Sequence, residues 1–174
     1  MELIDLEKEG LRELILREFN GDVKNDKVYF SKRLKKSSFE QYKEVLKKAL
    51  SKGTSKTLSE DISKNVLLNP TLVRQTKKGL ITAKMPFDAP LTLAEGEFNR
   101  YYIRGVCLKA IEENKKVIVY RARFSSNPRS ESEAKINLEI DPKKLLEDLR
   151  KNIGLETHLR LPQPNSGLSV KIKS

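Results

Sequence analysis

The sequence predicts an α+β fold: a helical N-terminal region packed with a small, mainly antiparallel sheet around a central buried helix at about residues 92–113. Three observations carry this prediction. Apolar residues recur at helical spacing through most of residues 1–68. Residues 92–113 are apolar around most of a helical circumference, as expected of a helix buried on several sides. The remaining apolar runs are short, tend to alternate and are separated by turn residues at hairpin-like distances, which favours antiparallel pairing over a β-α-β core. The expected organisation is a helical region over 1–68 and an α+β region with a proline-containing tail over 69–174. At 174 residues the two are expected to form one compact domain.

Taken in order, the first 20 residues read as a helix, with Leu3, Leu6, Leu11, Leu14, Ile15 and Phe19 near one face. Asn20-Gly21 is expected to stop it, because both residues accept the left-handed conformation at a helix C-terminus. Between Lys27 and Leu34, only Val28-Tyr29-Phe30 offers a candidate short strand. Ser38 and Gln41 have the spacing of a capping box, and Gly53 closes the far end of the helix they open. Phe39, Tyr42, Val45, Leu46, Ala49 and Leu50 form its apolar stripe, opposite Glu40, Lys43, Glu44, Lys47 and Lys48. Thr57 and Glu60 repeat the capping spacing and predict a helix that ends before Asn69-Pro70, since a residue before proline is pushed out of the helical region.

Residues 72–76 and 80–85 flank Lys77-Lys78-Gly79 as a short hairpin, and Pro86 and Pro90 bracket a loop. Thr92 with Glu95 predicts the start of the central helix, which runs to about Glu113. Gly96 and Gly105 each weaken that helix by up to ~1 kcal/mol, so close backbone packing is expected at both. Residues 117–124 read as a strand, and 134–140 as a second that can pair with it across the polar loop 125–132. Asp141-Pro142 is an N-cap followed by proline in the first turn. It opens a helix whose stripe is Leu145, Leu146, Leu149 and Ile153, up to Gly154. Residues 168–172 form a candidate edge strand.

Lys and Arg number 35 against 24 Asp and Glu, a net charge of +11, and a field of that sign attracts polyanions: nucleic acid, an anionic membrane surface or an acidic protein. No stretch approaches the ~20 apolar residues of a bilayer span. The opening residues MELIDLEKEG carry acids and lack the apolar run of a leader. The single Cys107 cannot form an internal disulfide. The expected location is therefore cytoplasmic, or within an intracellularly assembled particle, with no membrane partner.

Few chemistries have the residues they need. With one His and one Cys, zinc-ligand spacing is absent, and neither a metal nor another cofactor is expected. Cys107 falls on the apolar central helix, where a small inert hydrophobe is the usual role, so pairing with His158 as a nucleophile is not expected. Neither a phosphate-cradling glycine loop nor a serine nucleophile elbow occurs. Glu133-Ala134-Lys135 has the E-x-K form of metal-dependent nuclease cores, where a carboxylate holds magnesium and the lysine steadies the attacking water or the leaving charge. The preceding strand, however, offers Arg121 and Arg123 in place of the further acid such a core needs.

The basic residues form the better-defined candidate site. Glu97, Arg100 and Arg104 fall within about 60° on the central helix. Arg121 and Arg123 share a strand face, Arg129 lies in the following loop, and Lys32, Arg33, Lys35 and Lys36 cluster before a helix. Guanidinium forks grip phosphates bidentately and stack on bases. The competing role is a core pairing of Glu97 with Arg100 or Arg104. The leading expectation is a non-enzymatic basic binding or assembly protein that contacts nucleic acid without sequence specificity. Protein partners or self-association are a further expectation. The alternative is a structural subunit of a larger self-assembling particle, such as a phage or virus shell or connector. A metal-dependent nuclease is third.

Overall fold

The computed structural model describes residues 1–77, 79–154, 156–162 and 165–174. Within them the chain runs α1 (Leu11–Lys24), α2 (Phe39–Lys52), α3 (Ser55–Lys64), β1 (Thr71–Thr76), β2 (Gly79–Lys84) and α4 (Ala89–Glu112). It continues with β3 (Val117–Arg121), α5 (Ser130–Glu133), β4 (Glu139–Ile140), α6 (Pro142–Lys151) and β5 (Leu168–Ile172). The strands form two antiparallel sheets, the hairpin β1-β2 and a three-stranded sheet ordered β4-β3-β5. The fold is α+β, organised around α4.

The apolar circumference of α4 explains its position. It packs against α1, α3 and α6 and against β5, so Phe98, Tyr101, Tyr102, Ile103, Val106 and Cys107 are all buried in different directions. One hydrophobic cluster joins them to Leu11, Ile15 and Phe19 of α1, Tyr42, Leu46 and Leu50 of α2, Leu58 and Ile62 of α3, and Val117, Val119, Val170 and Ile172 of the sheet. Gly105 meets the expectation of close packing: a Cβ there would lie 2.5 Å from Ile15 Cγ1. Gly96 does not: beyond its own helix backbone and chain neighbours, no described atom stands within 4 Å of where its Cβ would be. Among the described residues no helix is long and apolar enough to cross a membrane.

Several element boundaries differ from the sequence expectation, each for a local reason. Leu3 and Leu6 lie in turns before α1, which starts only after Gly10 (φ 75°). The helix then passes through Asn20-Gly21, because its last turn carries Asp22, which is tied to α4; Asn25 ends it, donating from Nδ2 to Gly21 O at 2.7 Å. Val28-Tyr29-Phe30 is irregular; Phe30 instead stacks on Phe39, and both rings are half-buried. Ser38 precedes α2 but makes no side-chain cap, being the end of a 3₁₀ turn. The capping box of α3 is Thr54 with Thr57, whose hydroxyls and backbone N–H groups bond reciprocally at 2.9 and 3.3 Å, so Thr57 is its third residue and not its cap.

Similarly, α4 starts at Ala89, with Pro90 in its first turn, and Thr92 and Glu95 lie inside it. Strand β3 ends at Arg121, where the backbone N–H groups of Ala122 and Arg123 both turn to Gly167 O. Residues 134–140 are mostly turns after α5. Asn137 has φ 67°, which breaks the alternation; only Glu139 and Ile140 stand in strand register with β3, while Asn137 N–H donates to Val119 O at 2.9 Å and Leu138 O accepts from Val119 N–H at 3.0 Å. The Asp141 cap of α6, accepting from Lys143 and Lys144 N–H at 2.8 and 3.2 Å, and the hairpin formed by β1 and β2 are as the sequence predicts. Lys78 of the predicted hairpin turn lies outside the described residues.

Candidate functional site

The two arginines of α4 have different environments. Arg104 is buried between carboxylates of α1: Nε donates to Glu18 Oε2 at 2.8 Å, Nη1 to Asp22 Oδ2 at 2.5 Å and Nη2 to Asp22 Oδ1 at 3.0 Å. Arg150 of α6 closes on Glu18 from the other side, Nη2 to Oε1 at 2.5 Å, and Tyr101 donates its hydroxyl to Asp22 at 2.9 Å. Burial would push the Glu18 carboxyl up, but the Arg150 and Arg104 guanidiniums outweigh it and hold it below the usual carboxylate range. Arg104 therefore joins α1 to α4, and its partners are Glu18 and Asp22, not Glu97.

Arg100 lines a cleft of about 330 Å³ between α4, the segment carrying Tyr29, Ser31 and Arg33, and the end of α6. It is 9% exposed; Nη1 donates to Asn152 O at 3.1 Å, while Nε is buried and without a partner. Among the described residues it forms no ion pair. Glu97, on the same wall, is also buried. Desolvation pushes its carboxyl up to about 7, with Arg100 opposing that rise and Asp22 adding to it. Arg33 reaches in from its loop and donates from Nη1 to Thr92 Oγ1 at 2.6 Å. Arg123 is held at the edge by Glu95 at 2.5 Å and by Asn165 O at 3.1 Å.

Three predicted arginines (Arg33, Arg100 and Arg123) thus meet from distant segments, and the sequence pairs Arg100/Arg104 and Arg121/Arg123 are divided. Arg121 points elsewhere, binding Ser166 O at 3.0 Å and the carboxylate of Glu133. That ion pair takes up the glutamate of the E-x-K fragment, whose Lys135 donates to Leu159 O at 2.9 Å and Arg160 O at 3.2 Å. The fragment spans the end of α5, not a strand. Among the described residues no group of three or more His, Cys, Asp and Glu is placed to hold a metal ion. Arg129 is exposed at the cap of α5. Cys107 is buried, which pushes its thiol up, and exposed His158 donates its backbone N–H to Asp148 Oδ1 at 2.9 Å.

Sequence reasoning overlooked the cations of the hairpin. Strands β1 and β2 pair with each other from Thr71↔Lys84 to Thr76↔Gly79 and pack substantially on no other element. Arg74, Lys77 and Lys84 are exposed along this ribbon. Its foot is tied to the other basic segment: Asn69 N–H donates to Arg33 O at 2.8 Å, Asn69 Nδ2 to Leu34 O at 3.0 Å, and Lys35 N–H to Leu67 O at 2.9 Å. Lys32, Lys35 and Lys36 therefore stand at the base of the ribbon. The signal was available, since neither face of 71–84 has the apolar alternation of a strand resting on a core: one face carries Thr71, Val73, Gln75, Leu80, Thr82 and Lys84.

No protein-family model, curated protein or solved structure matches the chain.

Proposed function

We propose that the chain is a non-enzymatic binding protein that holds nucleic acid by its phosphate backbone without reading sequence. The observation that supports it is the ribbon β1-β2, which stands clear of the core and displays Arg74, Lys77 and Lys84 above Lys32, Lys35 and Lys36. Six-residue strands reach about 20 Å at ~3.4 Å per residue. A two-stranded ribbon is among the few shapes that fit a major groove. Cations on such an arm bind backbone charge and release counterions, which gives affinity and salt dependence but little sequence preference. The test is fluorescence anisotropy with duplex and single-stranded oligonucleotides of unrelated sequences, comparing the wild type with an Arg74→Ala/Lys77→Ala/Lys84→Ala triple variant. The triple variant is expected to bind at least tenfold more weakly on every sequence. Equal affinity of the two proteins would overturn the proposal.

A second reading, a structural subunit of a self-assembling particle, is favoured by one observation. Val73 (64% exposed) and Leu80 (72%) sit on the ribbon and Phe87 is fully exposed just beyond it, a concentration of apolar surface typical of interfaces. A lone hairpin is also marginal in water until something covers it. Light scattering after nuclease treatment separates the two readings. A nucleic-acid-free particle that persists at high salt would favour assembly.

A further inference from the structure

We propose that the cleft beside α4 is a binding site for a phosphate monoester, received by Arg100 together with Arg33. It is distinct from the ribbon and does not depend on the nucleic-acid reading, because a free nucleotide or sugar phosphate and a phosphorylated chain end present the same dianion.

Arg100 is the residue that points to a ligand. Buried charges are normally paired, and Arg104 one turn along the same helix shows how this chain satisfies one, with two carboxylates in direct contact. Arg100, 9% exposed against 2% for Arg104, has one carbonyl bond, a buried Nε with no partner, and no ion pair among the described residues. Arg100 lines the cleft. Arg33, from another segment, commits Nη1 to Thr92 and lines the same cleft, so the two guanidiniums are held by separate elements. A tetrahedral phosphate, with oxygens in several directions, suits two guanidiniums held on separate elements better than a flat carboxylate.

The cavity volume lies at the lower end of the range of small-ligand sites. The open space beside Gly96 gives a ligand direct approach to the α4 backbone. The acids around the cleft do not block an anion. Glu95 is taken by Arg123, and Glu156 is exposed at the mouth, where water and salt screen it. Glu97, whose carboxyl burial pushes up to about 7, carries less negative charge near neutral pH than an ordinary carboxylate, and in its protonated form can donate to a phosphate oxygen.

Isothermal titration calorimetry on the full chain tests this with four probes: inorganic phosphate, adenosine 5′-monophosphate, an oligonucleotide bearing a 5′-phosphate, and the same oligonucleotide ending in a 5′-hydroxyl. Saturable binding of at least one phosphate monoester is expected, weakened at least tenfold by Arg100→Gln and several-fold by Arg33→Gln. A tighter AMP site marks a free nucleotide as the source. A tenfold advantage of the 5′-phosphate over the hydroxyl end marks a chain end. Because Arg100 also holds Asn152 O, Gly96→Leu serves as a second variant that fills the cleft while leaving the guanidinium in place, and it is expected to abolish binding without lowering the melting temperature. Failure of all the phosphate probes to saturate would overturn the proposal. So would binding that is unchanged in Arg33→Gln and Gly96→Leu. The triple ribbon variant keeps this site intact, so loss of the ribbon's affinity and loss of the cleft's are separate results.

Discussion

Arg100 and Arg104 stand one helical turn apart on α4, and what separates them is what α1 presents to each. Glu18 and Asp22 surround Arg104, with Arg150 as a second cation on Glu18. Removing one member of such a group leaves the other charges buried without compensation, so Arg104→Met is expected to destabilise the fold by about 3–5 kcal/mol in urea titrations. A loss under about 1 kcal/mol would mean that the network contributes little. The network also has a pH signature. The Glu18 carboxyl is held low in the folded state, so its stabilisation is present above its ordinary value and is lost as pH falls through the depressed one. Glu97 has the opposite sign. Its folded value is raised from 4.5 to about 7, so the native state binds the extra proton and stability declines as pH rises across that window. The groups that bear on it are Arg100 on its own helix, Asp22 of α1, and the buried hydroxyls of Tyr42 and Tyr101. Glu97→Gln is expected to remove this slope and to stabilise the protein at pH 8 by about 3 kcal/mol, since each tenfold change in proton affinity is worth about 1.4 kcal/mol. Urea midpoints at pH 5 and pH 8 check it, and an unchanged difference between the two pH values would refute it.

Among the elements, two glycines of α4 make a paired test. Gly96→Ala adds helix propensity in open space and is expected to stabilise by up to ~1 kcal/mol, whereas Gly105→Ala drives a methyl into Ile15 and is expected to cost about 1–3 kcal/mol. Thermal melts of the two variants should move in opposite directions. The ribbon makes a different prediction. Met85 N–H already bonds Pro70 O at 2.8 Å, so the chain ends at its foot are adjacent, and replacing residues 71–84 by a short Gly-Ser linker should leave the melting temperature within a few degrees. A large drop would show that the hairpin supports the core. These elements also show what a sequence reveals by itself. The stripes of α2 and α6, the all-round apolar surface of α4 and the turn between β1 and β2 are local patterns, and they were readable. Whether Thr54 or Thr57 caps α3, whether α1 survives Asn20-Gly21, and whether 134–140 pairs along its length depend on partners far away in the chain. The site divides similarly. Its arginines were visible as residues, but only the fold decides that Arg33, Arg100 and Arg123 share a cleft while Arg104 is enclosed by acids. The ribbon's cations were legible in the polar alternation of 71–84, but only the fold shows that its foot brings Lys32, Lys35 and Lys36 to their base.

At the scale of the molecule, the charge is sorted by depth. Among the described residues Asp5, Glu18, Asp22, Glu95, Glu97 and Asp148 are buried, against only Arg100 and Arg104 of the basic residues. The surface is therefore more basic than the net charge of +11 implies, because the fold has drawn acids inward to meet backbone N–H groups and a few guanidiniums. Surface lysines cost little to desolvate partly against phosphate, and each contact made on duplex DNA adds about 0.9 to the slope of log K against log salt. If the ribbon and its foot act together, the six cations Arg74, Lys77, Lys84, Lys32, Lys35 and Lys36 set an upper slope of about 5, and affinity should fall by roughly a thousandfold between about 50 and about 200 mM salt. The triple ribbon variant should reduce that slope by nearly three, because half of those cations are gone. Anisotropy titrations at four salt concentrations measure both numbers. A slope near zero in the wild type would mean that the basic exterior does not bind nucleic acid through its backbone, and would leave the exposed Val73, Leu80 and Phe87 as the reason the ribbon stands away from the core.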